Sequence, residues 1–165
     1  MHPLPYHHDW RLAYQTAVGL RVHWFGRYAG KPDWQVETSR LASDMVSFVF
    51  IERNKCWAVV NGRRMNLKRG DLLVVMGGDE FSFGHEPSKP HTSLSVSLAL
   101  DQGGMANALL YRKFERRYSW RKPEEYIAEF EKVMATLAGT SPGRDLKIAG
   151  AIILWLDYLL ARLNP

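Results

Sequence analysis

The stretch GRRMNLKRGDLLVVMGGDEFSFGHEP, residues 62–87, decides the fold class of this chain. It follows Asn61, and Asn61-Gly62 is a hairpin signal because glycine takes the positive φ that tight hairpin turns demand. Met65 and Leu67 then alternate with polar residues, as on a strand with one buried face. Lys68-Arg69-Gly70-Asp71 predicts a second turn, and Leu72 to Met76 a continuous apolar strand. Gly77-Gly78-Asp79-Glu80 turns the chain again, into Phe81–Phe83. Short strands at even spacing, joined by tight polar turns, predict an antiparallel barrel. The mouth of such a barrel can hold one small ligand.

Working outward, Leu20–Tyr28, Trp34–Thr38, Val46–Glu52 and Cys56–Val60 read as further strands, with a break at Gly30-Lys31-Pro32-Asp33. Thr92–Leu100 alternates: Ser93, Ser95, Ser97 and Ala99 share one face, and Leu94, Val96, Leu98 and Leu100 the other. Residues 1–18 form an arm with Pro3, Pro5 and a His7-His8 pair. After Gly103-Gly104 the period becomes helical. Pro123 with Glu124 and Glu125 predicts a helix start, running to about Ala138. Pro142-Gly143 separates it from a last helix over about Arg144–Leu163. The expected organisation is an arm and barrel over 1–105 and a helical segment over 106–165.

The chain has 165 residues, enough for one domain with a substantial core. With 46% hydrophobic and 24% charged residues it is globular rather than disordered. No apolar run reaches transmembrane length, and the start lacks the pattern of a signal peptide. One cysteine, Cys56, excludes an internal disulfide framework, which fits a cytoplasmic protein. The net charge of +5 is densest at Arg112-Lys113, Arg116-Arg117 and Arg121-Lys122. That run is either a solvated basic connection or a phosphate-contacting surface. The sequence carries no zinc-finger, helix-turn-helix or stacking-platform pattern that would support nucleic-acid binding.

Gly70-Asp71-Leu72-Leu73-Val74-Val75 and Gly78-Asp79-Glu80 resemble the barrel-closing run of cupin-type proteins, specifically of the sensor domains of AraC-family transcriptional regulators. Met76 and Gly77 stand where that run has prolines, and Phe81 where it has histidine. The resemblance implies a mainly β fold, a cupin-like double-stranded β-helix barrel, followed by two C-terminal α-helices. It further implies a small polar effector in the barrel and a homodimer built on the last helix. DNA would be bound only through a helix-turn-helix domain of about 100 residues that this chain, stopping at Pro165, does not include. The alternative is a stand-alone cupin enzyme, an isomerase or oxygenase.

A catalytic barrel of this type needs histidines and a carboxylate converging on a first-row metal. Ser43, Ser47 and Phe81 occupy the matching positions, so no metal, cofactor or catalytic role is expected. His85 and His91, with Glu86 and Pro90 between them, either meet at a metal or remain solvated, and His7-His8-Asp9 reads the same way. No phosphate loop or nucleophile elbow is present.

The candidate ligand-binding residues are Arg21, His23, Arg40, Phe83 and Ser95. Arg21 and His23 share one face of the first strand by parity, opposite Val22 and Trp24, which read as core. The resemblance favours Arg21 as pocket-facing and places a ligand-contacting arginine near Arg40. Arg40 offers a planar donor fork for carboxylates or sugar hydroxyls, or is a surface residue on a turn. Phe83 falls where the family sets an aromatic ring against the ligand. Ser95 and Ser97 either contact the ligand or form the solvent face of their strand. Trp57 has no facing that the period decides. The Pro5-Tyr6 arm either closes over the mouth, as the resemblance implies, or is a frayed terminus.

Leu146, Ala149, Ile153, Leu156, Leu160 and Leu163 form a heptad seam on the last helix. Ile148, Ile152, Trp155 and Leu159 form a second apolar line. One line is expected on the chain's own core and the seam on a second subunit; the alternative is a helix buried within one domain.

Overall fold

The computed structural model describes residues 19–100, 109, 112–140 and 143–163, apart from the side chains of residues 145 and 146. The arm with Pro5, Tyr6 and the His7-His8 pair lies outside the described residues, as does the side chain of Leu146.

Among the described residues nine strands and two helices follow one another: β1 Leu20–Ala29, β2 Gln35–Arg40, β3 Met45–Arg53, β4 Lys55–Val60, β5 Arg63–Lys68, β6 Asp71–Met76, β7 Glu80–Gly84, β8 Thr92–Leu100, β9 Arg117–Ser119, α1 Pro123–Ala138 and α2 Arg144–Leu163. They form two antiparallel sheets, a five-stranded one in the order β1-β8-β3-β6-β9 and a four-stranded one in the order β2-β7-β4-β5. The chain passes between the sheets in the manner of a jelly roll, and the helices cover the outer face of the five-stranded sheet. The expected mainly β barrel with two C-terminal helices is what the structure shows. The turns sit where the glycines predict: Asn61 and Gly62 have φ of 49° and 75°, and Gly70 and Gly78 have φ of 87° and 85°.

Two cores follow from strand alternation. Leu94, Val96, Leu98 and Leu100 of β8, with Phe48 and Phe50 of β3, point outward onto the helices. There Trp155 of α2 lies edge-on to Phe25, Phe48, Tyr126 and Phe130, and Phe50 stacks on Tyr126 at 4.0 Å. The smaller core, between the sheets, contains Ile51, Cys56, Ala58, Val60, Leu67, Leu73, Val75 and Phe83. Burial pushes the Cys56 thiol up to about 12, aided by nearby Asp71, so this cysteine is unreactive. Trp57 faces out of the four-stranded sheet, against Gly84, with the Arg64 guanidinium 4.8 Å from its ring.

Strand β9 was not expected. It lies in the basic stretch, and its Arg117, with Arg116 just before it, has structural work. The buried Asp71 accepts from Lys68 N–H at 2.9 Å, Ser119 Oγ at 2.6 Å and Arg117 Nη2 at 3.2 Å. The buried Asp79 accepts from Met76 N–H at 2.7 Å, Asn61 Nδ2 at 2.7 Å and Arg116 Nη2 at 2.9 Å. Each Gly-Asp turn of the decisive stretch therefore holds one guanidinium of the Arg116-Arg117 pair. Buried carboxylates need this, because an unpaired charge inside the fold is costly. On the opposite edge Arg27 of β1 forks onto buried Glu52 at 2.9 and 3.0 Å and also meets Glu131 of α1.

The seam on α2 requires correction. Leu156 and Leu163 lie in the chain's own core, and Ala149 and Leu160 pack against it, beside Ile148, Ile152, Trp155 and Leu159. The two apolar lines are adjacent arcs of one wide buried face, because α2 beds on both the sheet and α1. Among the described seam residues only Ile153 is exposed, at 43%, next to Leu154 at 71%.

Removing one partner of the Asp71–Arg117 pair strands a buried carboxylate. Arg117→Ala is expected to lower the unfolding free energy by about 2 kcal/mol, less than the ~3–5 kcal/mol of a fully enclosed pair because the guanidinium is part-exposed. Urea denaturation measures this. A change below ~0.5 kcal/mol would class the pair with ordinary surface ion pairs.

Candidate functional site

Between the sheets, beside the smaller core, lies a cavity of about 280 Å³. Its two walls differ. The five-stranded sheet contributes Ser47 and Val49 of β3 and Ser93, Ser95 and Ser97 of β8. Ser47 and Ser97, cross-strand neighbours, bond Oγ to Oγ at 2.6 Å, and Ser93 and Ser95 approach at 3.4 Å. The opposite wall is Val36 of β2 with Phe81 and Phe83 of β7, flanked by Trp34 and Leu41. Trp24 and Tyr28 of β1 and His91 complete the lining. No Asp, Glu, Lys or Arg side chain belongs to it among the described residues.

A bulge explains the presence of Trp24. On β1, Val22 pairs with Leu98 and Trp24 with the next β8 residue, Ser97, so His23 has no partner. The extra residue shifts parity. Leu20 and Val22 face the helices, whereas Trp24 and Tyr28 face the cavity. Strict alternation had put Trp24 with Val22 in the core. His23 itself is exposed.

The candidate binding residues thus separate. Phe83 and Ser95 line the cavity, and the serine face of β8 is the cavity face rather than a solvent face. Arg21 sits at the start of β1, 3.6 Å from Asp44, outside the lining. Arg40 is exposed and donates to the Gly78 carbonyl at 3.1 Å, near Glu80. Both arginines stand where a neighbouring carboxylate or carbonyl holds them at the barrel's rim. Sequence reading overlooked Trp24, Tyr28, Trp34 and His91 as cavity residues. The histidines flanking the 85–91 loop were the available signal, but their mutual contact depends on how that loop closes.

That contact is specific. His85 follows β7 and His91 precedes β8, and their Nδ1 atoms lie 2.8 Å apart. His85 Nε2 is 2.8 Å from the Lys31 carbonyl. Gly30 N–H donates to the His91 carbonyl at 2.9 Å, and a Cβ on Gly30 would sit 2.5 Å from the His85 ring. The β1–β2 turn and the β7–β8 loop are therefore laced together through the pair. Trp34 packs over both rings, with centroids 5.8 and 5.3 Å away. Burial, with a further contribution from His85, lowers His91 to about 4.

These donors do not fit a first-row metal of the catalytic type. Ser47 is spent on Ser97, Phe81 has no donor, and the facing Nδ1 atoms of His85 and His91 are too close together to admit an ion between them. No three His, Cys, Asp or Glu residues gather at one point among the described residues.

The low value at His91 has a consequence for stability. The unfolded chain takes up a proton near pH 6.5 that the folded chain refuses until about pH 4. This contribution is present above pH 6.5 and is lost as pH falls towards 4, on the order of 3 kcal/mol. Urea titrations between pH 7 and pH 4 should show wild type losing more stability than His91→Phe. Parallel losses would mean that His91 is not kept neutral.

Among known proteins, a cupin sequence profile matches residues 16–122. No curated protein matches the chain. Solved structures resemble it distantly. The cupin domain of Schizosaccharomyces pombe Cnp3 has 13% identity and a TM-score of 0.43, over 50% of this chain and 57% of that one. A predicted oxalate decarboxylase of Thermotoga maritima has 20% identity and a TM-score of 0.43, over 48% and 68%. A cupin domain of an XRE family transcriptional regulator of Enterobacter cloacae has 10% identity and a TM-score of 0.40, over 53% and 100%. Likeness at this level carries no argument about activity. The profile covers well over half of the sequence, including every strand of the barrel, and the chain belongs to the cupin family.

Proposed function

We propose that this chain is the effector-sensing and dimerisation module of an AraC-type transcriptional regulator, with a small molecule bound in the barrel. The supporting observation is that one sheet borders both the cavity and the helices. Ser47 and Val49 of β3, and Ser93, Ser95 and Ser97 of β8, face the cavity. Phe48, Phe50, Leu94, Val96 and Leu98, the residues between them, bear on α1 and α2. A molecule pressing on the serine wall works against the same two strands that seat the helices. It can shift the helices only by binding one arrangement more tightly than the other.

An enzyme reading has less support. His91 is the basic side chain of the cavity wall among the described residues, and at about 4 it is a weak base near neutral pH. Burial raises the Tyr28 hydroxyl above its ordinary value, away from the range useful for proton transfer. No helix among the described residues is long and apolar enough to cross a membrane.

The dimer in this proposal uses the outward side of α2, where Ile153 and Leu154 are exposed. Leu156 is not a suitable probe, because aspartate there would enter the core. Sedimentation should give a dimer for wild type and a folded monomer for Ile153→Asp/Leu154→Asp. A monomeric wild type, or a double variant that still dimerises, removes the dimerisation role. Sensing is tested by adding any sugar, organic acid or aromatic acid that raises the melting temperature. The dimer dissociation constant should then change, and a ligand that leaves it unaltered would reduce the chain to a binding module.

A further inference from the structure

We propose that the cavity selects an uncharged, flat aromatic molecule carrying an N–H or O–H donor, and that His91 Nε2 is the acceptor that reads this donor. The inference rests on the binding-module reading above and names the chemistry of its ligand.

The proton positions follow from the partners. The Lys31 carbonyl can only accept, so His85 Nε2 carries hydrogen and donates to it. No carboxylate bonds either ring, and both rings are buried, where a positive charge without a counter-charge is costly, so the partners favour two neutral imidazoles. A neutral His85 with a proton on Nε2 presents a bare Nδ1. The 2.8 Å contact then requires His91 Nδ1 to be the donor. Neutral His91 is left with a lone pair on Nε2 and no second proton. His91 is 1% exposed and lines the cavity, and no described residue bonds this nitrogen. An acceptor held in one tautomer by two successive hydrogen bonds is a built recognition group.

The walls exclude ions. A carboxylate, phosphate or ammonium would leave water for a lining without an opposite charge among the described residues. Arg21 and Arg40, the guanidiniums that would have suited an anion, are held elsewhere. Trp24, Trp34, Phe81 and Phe83 provide flat apolar area, and the serines accept or donate at the opposite wall. At about 280 Å³ the space suits a molecule of one or two rings.

Calorimetry with four probes tests the assignment: indole, 1-methylindole, indole-2-carboxylate and phenyltrimethylammonium. 1-Methylindole nearly keeps the shape of indole and lacks the donor. Indole is expected to bind at least tenfold more tightly than 1-methylindole, with both ions weaker than indole. His91→Leu should abolish the difference between indole and 1-methylindole. Because that variant strands His85 Nδ1, a second measurement uses wild type alone. Its ¹⁵N spectrum should show His91 protonated on Nδ1 and bare on Nε2, and the Nε2 resonance should move upfield when indole is added. Equal affinity for indole and its methyl derivative, the opposite His91 tautomer, or binding of none of the probes overturns the proposal. Tighter binding of either ion also overturns it, while leaving a ligand-binding barrel in place. The sedimentation experiment judges the sensor reading separately.

Discussion

The alternation of side chains across β3 and β8 is the constraint on which the rest of the structure depends. Each strand must satisfy two environments at once, a helix-covered apolar face and a cavity face. A one-residue slip in either strand would place Leu94, Val96 and Leu98 in the cavity and the serines under Trp155. Phenylalanine at 48 and 50 leaves little tolerance for that error, since both rings interlock with aromatics of α1 and α2. The bulge at His23 is the one place where the neighbouring β1 changes allegiance, and it supplies the cavity with Trp24 and Tyr28.

Charge is used at the edges of this frame rather than in its centre. Asp71 and Asp79 terminate tight turns and draw Arg117 and Arg116 onto β6, which adds β9 to the sheet. Glu52 and Glu131 do the same for Arg27 between β1 and α1. Part of the basic excess that suggested a phosphate-contacting surface is thus committed to holding the helical segment against the barrel. The cavity, in contrast, contains hydroxyls, aromatic rings and one imidazole. The described lining offers hydrogen-bonding groups and shape rather than counter-charge.

How much of this was legible depended on the range of the interactions. The turns at Asn61-Gly62, Gly70-Asp71 and Gly78-Asp79, the alternation of Thr92–Leu100 and the Pro123 helix start are local, and each was placed from sequence. Phe83 was named from resemblance and Ser95 from the alternation of its strand, and both line the cavity. Arg21, His23 and Arg40 were named on strand parity or resemblance and lie outside it. Parity fails at a bulge, and a bulge is chosen by how two strands pair, not by the residues of one. The three residues of β9 were invisible because their strand identity comes from carboxylates more than thirty positions away.

The amino-acid order alone determined the approximate positions of β1 to β8 and the limits of both helices. These are decided by period, turn chemistry and side-chain type, which act over a few residues. Only the tertiary structure decided that Ala149, Leu156, Leu160 and Leu163 of the seam bear on the chain's own core, that Trp24 turns inward, and that His85 and His91 meet. Each of those depends on which distant segment arrives alongside, and a closed loop such as 85–91 brings its two ends together only when the strands on either side have paired.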